Sequence, residues 1–136
     1  RKMEKLNVKQ IAGNPRDEAF MEKLVKLIMD NIREENFGAT EITAGMNVSR
    51  SLLHMKLKSL AGCSITQFIR TLKMKEARKY LAEGMNVSEA AYAVGMSDPN
   101  YFTKCFKAEF GITPSEYMKS ATTPRNGDQP QDSGGE

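Results

Sequence analysis

Apolar side chains recur along this chain at helical spacing. Phe20, Met21, Leu24, Val25, Ile28 and Ile32 are separated by steps that place them on one face of a helix, with Asp17 offering an N-cap and the periodicity fading near Glu35. Gly38 reads as a stop signal beyond that end. The pattern resumes from about Thr40 through Ala44, breaks between Gly45 and Val48, and restarts behind Ser49 with Leu53, Leu57 and Leu60 inward. A long helix is predicted from about Ser64 to Ala82. Phe68, Ile69, Leu72, Ala77, Tyr80 and Leu81 face inward in it, Arg70, Lys73, Lys75, Arg78 and Lys79 mostly outward, and Gly84 closes it. Another helix pair spans Ser88 to Phe110. Thr113-Pro114-Ser115 then opens a last short helix through Tyr117, with Pro114 suited to a first helical turn. The predicted fold class is all-α.

The two helix pairs are related by a constant offset. Lys58 stands 49 residues before Lys107, and at the same offset Ala44 pairs with Ala93, Gly62 with Gly111, Leu53 with Phe102, Leu57 with Phe106, Phe68 with Tyr117 and Ser49 with Asp98. Each unit is a short helix, a tight turn containing glycine and a second amphipathic helix. A helix-turn-helix needs that order so that its second helix can protrude. In the downstream unit Asp98 caps the second helix and Pro99 takes its first position.

Charge sharpens this picture. The net charge of +3 is modest, but Asp17 to Glu35 holds six acids against three bases, whereas Ser49 to Ser120 holds eleven Lys or Arg against six Asp or Glu. Arg50 to Leu60 contains Arg50, Lys56 and Lys58 and no acid. A locally positive face of this kind suits a polyanion. With its core positions inward, the first helix turns Arg50, Ser51, His54, Met55 and Lys58 out; the second turns out Asn100, Thr103, Lys104 and Lys107, with Tyr101 at the flank. These are donors and acceptors that can read base edges, beside cations that neutralise phosphate.

The 136 residues suffice for one domain or two small lobes with a real core. Arg1 to Arg16, basic and carrying Gly13, Asn14 and Pro15, reads as a linker, and residues 121–136 as a disordered tail, which leaves 17–120 as the folded module. Cys63 and Cys105 are too few and too far apart for a disulfide framework; they read as packing residues in a reducing cytoplasm. No apolar run approaches the roughly 20 residues that span a bilayer. A chain that opens on Arg1 is expected to be a piece of a longer protein.

Other chemistries fit the residues less well. Ser51 and His54 share an exposed helix with no acid to orient the ring, so no catalytic role is assigned. His54, Cys63 and Cys105 lack metal-ligand spacing, there is no Gly-rich phosphate loop, and no cofactor is expected. Single-stranded RNA readers need stacking aromatics, for which only Tyr101 qualifies. A helical protein-interaction module with a basic face is the alternative to a DNA reader, because charged helix faces are commonly only solvated.

From about Asp17 to Ser120 the chain resembles the DNA-binding module of the AraC/XylS family of bacterial transcription regulators. The residues that carry the resemblance are Ala91-Tyr92-Ala93-Val94-Gly95-Met96-Ser97-Asp98, Tyr101-Phe102-Thr103-Lys104, Phe106-Lys107 and Phe110-Gly111-Ile112-Thr113-Pro114-Ser115-Glu116-Tyr117. The resemblance implies seven helices in two helix-turn-helix subdomains joined by the long central helix, with recognition helices in successive major grooves of double-stranded DNA. Carried over by position, the base-contacting sites fall on Ser51, His54, Met55, Asn100, Tyr101, Thr103 and Lys104, and the phosphate contacts on Arg50, Lys56, Lys58 and Lys107. Met55 departs from the arginine that the family often has there. The stretch Met46 to Gly62 is similar to a narrower branch, the output modules of Bacteroidetes hybrid two-component regulators. That likeness implies receiver and kinase domains upstream in the same chain and polysaccharide-utilisation genes as targets. It further implies RNA polymerase as a partner, a monomeric module within a dimeric full-length protein, and a cytoplasmic location, which would also suit the cytoplasmic part of an inner-membrane sensor.

Overall fold

Asn14, not Asp17, starts the first helix of the computed structural model, which describes residues 14–122. The Asn14 side chain accepts from the Asp17 N–H at 2.9 Å, and Pro15 takes the first position of α1 (Pro15–Asp30), where a missing N–H costs nothing. The helix therefore begins inside the stretch read as linker, and residues 1–13 lie outside the described residues, as does most of the expected disordered tail. It ends at Asp30 rather than near Glu35: Asn31 caps it and returns its side-chain amide to the Leu27 carbonyl at 2.9 Å. Ile32 still reaches the core from the following turn.

Gly38 starts a helix instead of stopping one. Its N–H donates to the Glu41 carboxylate at 2.9 Å as the N-cap of α2 (Ala39–Met46). Gly45 lies within α2, pressed against Leu27, and the turn runs from Asn47, which takes the left-handed conformation (φ 56°). Asn tolerates that region better than most residues. Ser49 accepts from the Leu52 N–H at 3.0 Å and caps α3 (Arg50–Ala61).

The central helix α4 (Ile65–Ala82) contacts α1, α3, α5 (Val87–Ala93), α6 (Pro99–Phe110) and α7 (Pro114–Thr122). Surrounded in this way, it is buried nearly all round from Phe68 to Met74 and has no simple outward face there. Lys73, expected outward, is 6% exposed. Arg78 is half-buried with its guanidinium over the Phe110 ring, 4.4 Å from the centroid. The described residues form seven helices and no strand, around one hydrophobic core that continues through α4 from Met21, Leu24 and Leu57 to Phe102 and Phe106.

The repeat extends beyond the helix pairs. Ser49 and Asp98 cap α3 and α6, Gly62 and Gly111 end them at positive φ (73° and 85°), and α4 and α7 then start 49 residues apart behind Ser64 and Thr113. Each unit is thus a helix-turn-helix with a third helix behind it.

Candidate nucleic-acid interface

Each recognition helix is set by a tight turn, a cap and a buried inner face. In the first unit the Val48 N–H returns to the Thr43 carbonyl at 3.1 Å, and Ser49 follows as cap. In the second, the Met96 N–H reaches the Ala91 carbonyl at 2.8 Å, Gly95 adopts φ 74°, and Asp98 accepts from the Asn100 N–H at 3.0 Å. Leu53 and Leu57 anchor α3, and Phe102 and Phe106 anchor α6, all essentially inaccessible. Phe106 meets Phe110 edge-on at 4.7 Å and Tyr117 at 5.9 Å, so α6 is locked to α7 by ring packing. Met46 and Met96 are buried behind the two turns.

Those anchors leave two exposed faces. On α3 they are Arg50, Ser51, His54, Met55 and Lys58, successive neighbours around one side of the helix, with Met55 59% exposed. On α6 they are Asn100, Tyr101, Lys104 and Lys107, with Tyr101 46% exposed; Thr103 is half-buried at the edge of that face. Lys58 and Lys107 both sit in the last turn of their helix, where a cation complements the helix dipole. Lys107 also helps to hold Glu116 below the usual carboxylate range, behind the larger effect of hydrogen bonds from Thr113.

Lys56 does not join this surface. Its ammonium binds the Asp17 carboxylate at 2.5 Å and lies 5.9 Å from the Phe20 ring, so it docks α3 onto α1. Lys56, expected at a phosphate, is thus held in a part-buried ion pair with α1. The repeat carries the signal: the residue 49 positions on is Cys105, buried in α6. Both cysteines are free and buried, and burial pushes the Cys63 thiol up against the opposing pull of Lys58.

Lys73 ties the two units together from inside the core. Its ammonium donates to the Ile32 carbonyl at 2.8 Å, in the loop that leads into the first unit, and to the Val94 carbonyl at 2.7 Å, in the second. Burial lowers its pKa, with Glu35 and Glu34 opposing. Sequence reasoning places this lysine outward and misses its role. Position 73 nevertheless falls four residues from both Ile69 and Ala77, inside an apolar stripe, which is the sequence signal that places it inward.

Comparison with known proteins agrees with this architecture. A family model described as "Helix-turn-helix domain" matches residues 42–120. "Histidine kinase P4" of Formosa agariphila is 34% identical over 103 residues, which are 75% of this chain and 8% of that protein. The Msm operon regulatory protein of Streptococcus mutans is 30% identical over 109 residues, 79% of this chain and 38% of that protein. The chain thus spans well under half the length of either relative. A Chromobacterium violaceum transcriptional regulator with an AraC-type DNA-binding domain superposes with a TM-score of 0.74 at 24% identity, covering 82% of this chain and 99% of that one. The C-terminal domain of AraT, a response regulator from Geobacillus stearothermophilus, gives 0.71 at 20% identity, covering 86% and 94%. At these identities the likeness to the two structures is one of fold.

Proposed function

The chain belongs to the AraC-type helix-turn-helix family of DNA-binding transcription regulators, and from that premise we propose that it reads two boxes of a duplex with α3 and α6 in successive major grooves. The observation that carries the proposal is the repetition of the whole unit. Two capped, core-anchored helices each present a polar face that is basic at its C-terminal turn. Two heads on successive turns of B-DNA would sit roughly 34 Å apart and read boxes about 10 base pairs apart.

Within that reading, Asn100, Thr103 and Lys104 read base edges in one box, with Tyr101 against the flank. Ser51 and His54 read the other. Met55 cannot make the bidentate contact to guanine that arginine makes, so it touches thymine methyl groups, and the first head discriminates less than the second. Arg50, Lys58 and Lys107 neutralise phosphates.

We further infer that the chain is the output module of a hybrid two-component regulator, with receiver and kinase domains in the same polypeptide and polysaccharide-utilisation genes as targets. The kinase name of the Formosa relative, of which this chain matches only 8%, supports the kinase part of that inference. A receiver-driven dimer would then raise occupancy of the operator, and RNA polymerase would be the partner recruited there.

Selection from random duplexes at about 50 mM salt, where phosphate-driven binding is strong, tests the DNA reading. Two enriched boxes spaced by about one turn are expected. No enrichment, with weak binding indifferent to salt, would favour a protein-binding basic surface instead. Lys104→Ala should cost about 1–3 kcal/mol in one box and relax its sequence preference. Equal losses on specific and random DNA would remove Lys104 from the base-reading set.

A further inference from the structure

We propose that Lys73 is a positioning residue that holds the two recognition helices in one register and so sets the number of base pairs between the boxes; this rests on the two-box reading. Lys73 lies midway along α4, the helix that closes the first unit and contacts every helix of the second. Its two acceptors are the carbonyl of Ile32, just past the end of α1, and the carbonyl of Val94, the C-cap of α5. Carbonyls at helix C-termini lack intrahelical partners and carry the negative end of the dipole. One buried ammonium therefore satisfies a carbonyl just beyond α1, ahead of the first unit, and the C-cap carbonyl of α5 in the second.

The backbone around it is equally close. A Cβ on Gly95 would stand 2.7 Å from the Arg33 carbonyl oxygen and 3.0 Å from the Lys73 ammonium, so the turn of the second unit abuts the loop that leads from α1 into the first. Ser97 donates to the Glu35 carboxylate at 3.0 Å, a second tie between the same turn and loop. Asp98 and α6 follow that turn directly, and any slip of the turn moves α6 against α3. A cleft of about 180 Å³ is lined by Lys73 and Met96 and reaches Tyr101 of α6. An aliphatic side chain at position 73 would fill the space and leave both carbonyls without this donor, losing what sets the two units in register.

Two linked heads gain affinity over one by orders of magnitude only where the geometry lets both engage, so spacing preference reports the register. The full chain and its Lys73→Met variant are titrated against duplexes carrying the two selected boxes at the selected spacing, the same boxes with one or two base pairs inserted or removed, and each box alone. For the wild type, the matched duplex is expected to bind about a hundredfold tighter than a single box, with most of that gain lost on a one-base-pair change. Lys73→Met should keep single-box affinities within about twofold and flatten the spacing profile to about threefold, while Lys73→Arg, which retains donors, restores part of the preference. An unaltered spacing profile in Lys73→Met overturns the proposal, as does an equal loss on single-box and two-box duplexes. Should Lys73→Met fail to fold by circular dichroism, Lys73→Gln and Ser97→Ala read the same ratio, and unchanged profiles in both overturn it. A wild type that binds DNA without any spacing preference overturns the two-box reading itself.

Discussion

The Lys56 ammonium lies 2.5 Å from the Asp17 carboxylate, so a cation in the middle of the first recognition helix is committed to α1. Asp17 is held below the ordinary carboxylate range chiefly by that hydrogen bond. Lys58, two residues on, is exposed at the last turn of the same helix. The two lysines should therefore separate cleanly. Removing one cation from a phosphate lowers the slope of log affinity against log salt by about 0.9. Lys58→Ala is expected to lower it by about that amount on random duplex DNA. Lys56→Ala should leave the slope unchanged and lower the melting temperature instead.

Phe106 joins α6 to the rest of the molecule, packed against Phe102, Phe110 and Tyr117 at centroid distances of 6.0, 4.7 and 5.9 Å. Truncating a fully buried phenylalanine costs about 3–5 kcal/mol, a large part of the roughly 5–15 kcal/mol that holds a domain together. Because the core runs unbroken through α4, the loss should be felt in both units. Urea unfolding of Phe106→Ala followed by circular dichroism is expected to show one transition at a lower midpoint. Two separated transitions would mean that the units unfold independently.

Periodicity, caps and the 49-residue offset place most helices and both recognition helices from the sequence, because each rests on local chemistry: Ser49 and Asp98 cap where expected. The departures come from competing local caps in some places and from long-range packing in others. Asp17 resembles a cap because it is acidic and precedes an apolar run, yet Asn14 and Pro15 already supply the cap and first turn, and Asp17 is held by Lys56. Lys73 reads as solvated because lysine usually is, but α4 has neighbours on almost every side. The spacing of Lys73 from Ile69 and Ala77 outweighs its residue type. Gly45 reads as the turn, whereas its missing Cβ makes room for Leu27 and the left-handed residue is Asn47.

Two glycines separate strain of the backbone from lack of space. Gly62 ends α3 at φ 73°, and nothing lies within 4 Å of where a Cβ would stand; Gly95 has nearly the same φ, but its Cβ would press on the Arg33 backbone at 2.7 Å. Gly62→Ala should cost about 1–2 kcal/mol, the left-handed penalty alone. Gly95→Ala should cost clearly more, since backbone must shift as well. Equal chemical midpoints for the two variants would show that the Arg33 loop yields freely.

Glu41 and Glu116 each accept a hydrogen bond from a backbone N–H, of Gly38 at 2.9 Å and of Thr113 at 2.8 Å, and both are held below the ordinary value of 4.5. Asp17 is likewise held below 3.8. A carboxyl whose folded pKa is depressed contributes its full stabilisation above its unfolded value, and loses it as pH falls through the folded one. The melting temperature should thus hold steady from neutral pH to near 4.5 and fall below it. Replacing Glu41 and Glu116 together by Gln, which can still accept the N–H, should make that acid decline shallower. An unchanged acid limb would show that other carboxylates govern it.

Met55 offers a gain-of-function test of the first recognition helix. It is 59% exposed on the face shared with Ser51 and His54, and α3 carries no acid that would capture a new cation there. Arginine at that point can place two donors on guanine O6 and N7, a pairing worth about 1–3 kcal/mol of discrimination. Met55→Arg is therefore expected to create a guanine preference at one position of the first box and to leave the second box unchanged. Selection from random duplexes with the variant and the wild type in parallel measures this directly. A uniform rise in affinity across all sequences would show that position 55 meets phosphate, and the face of α3 that enters the groove would have to be rotated accordingly.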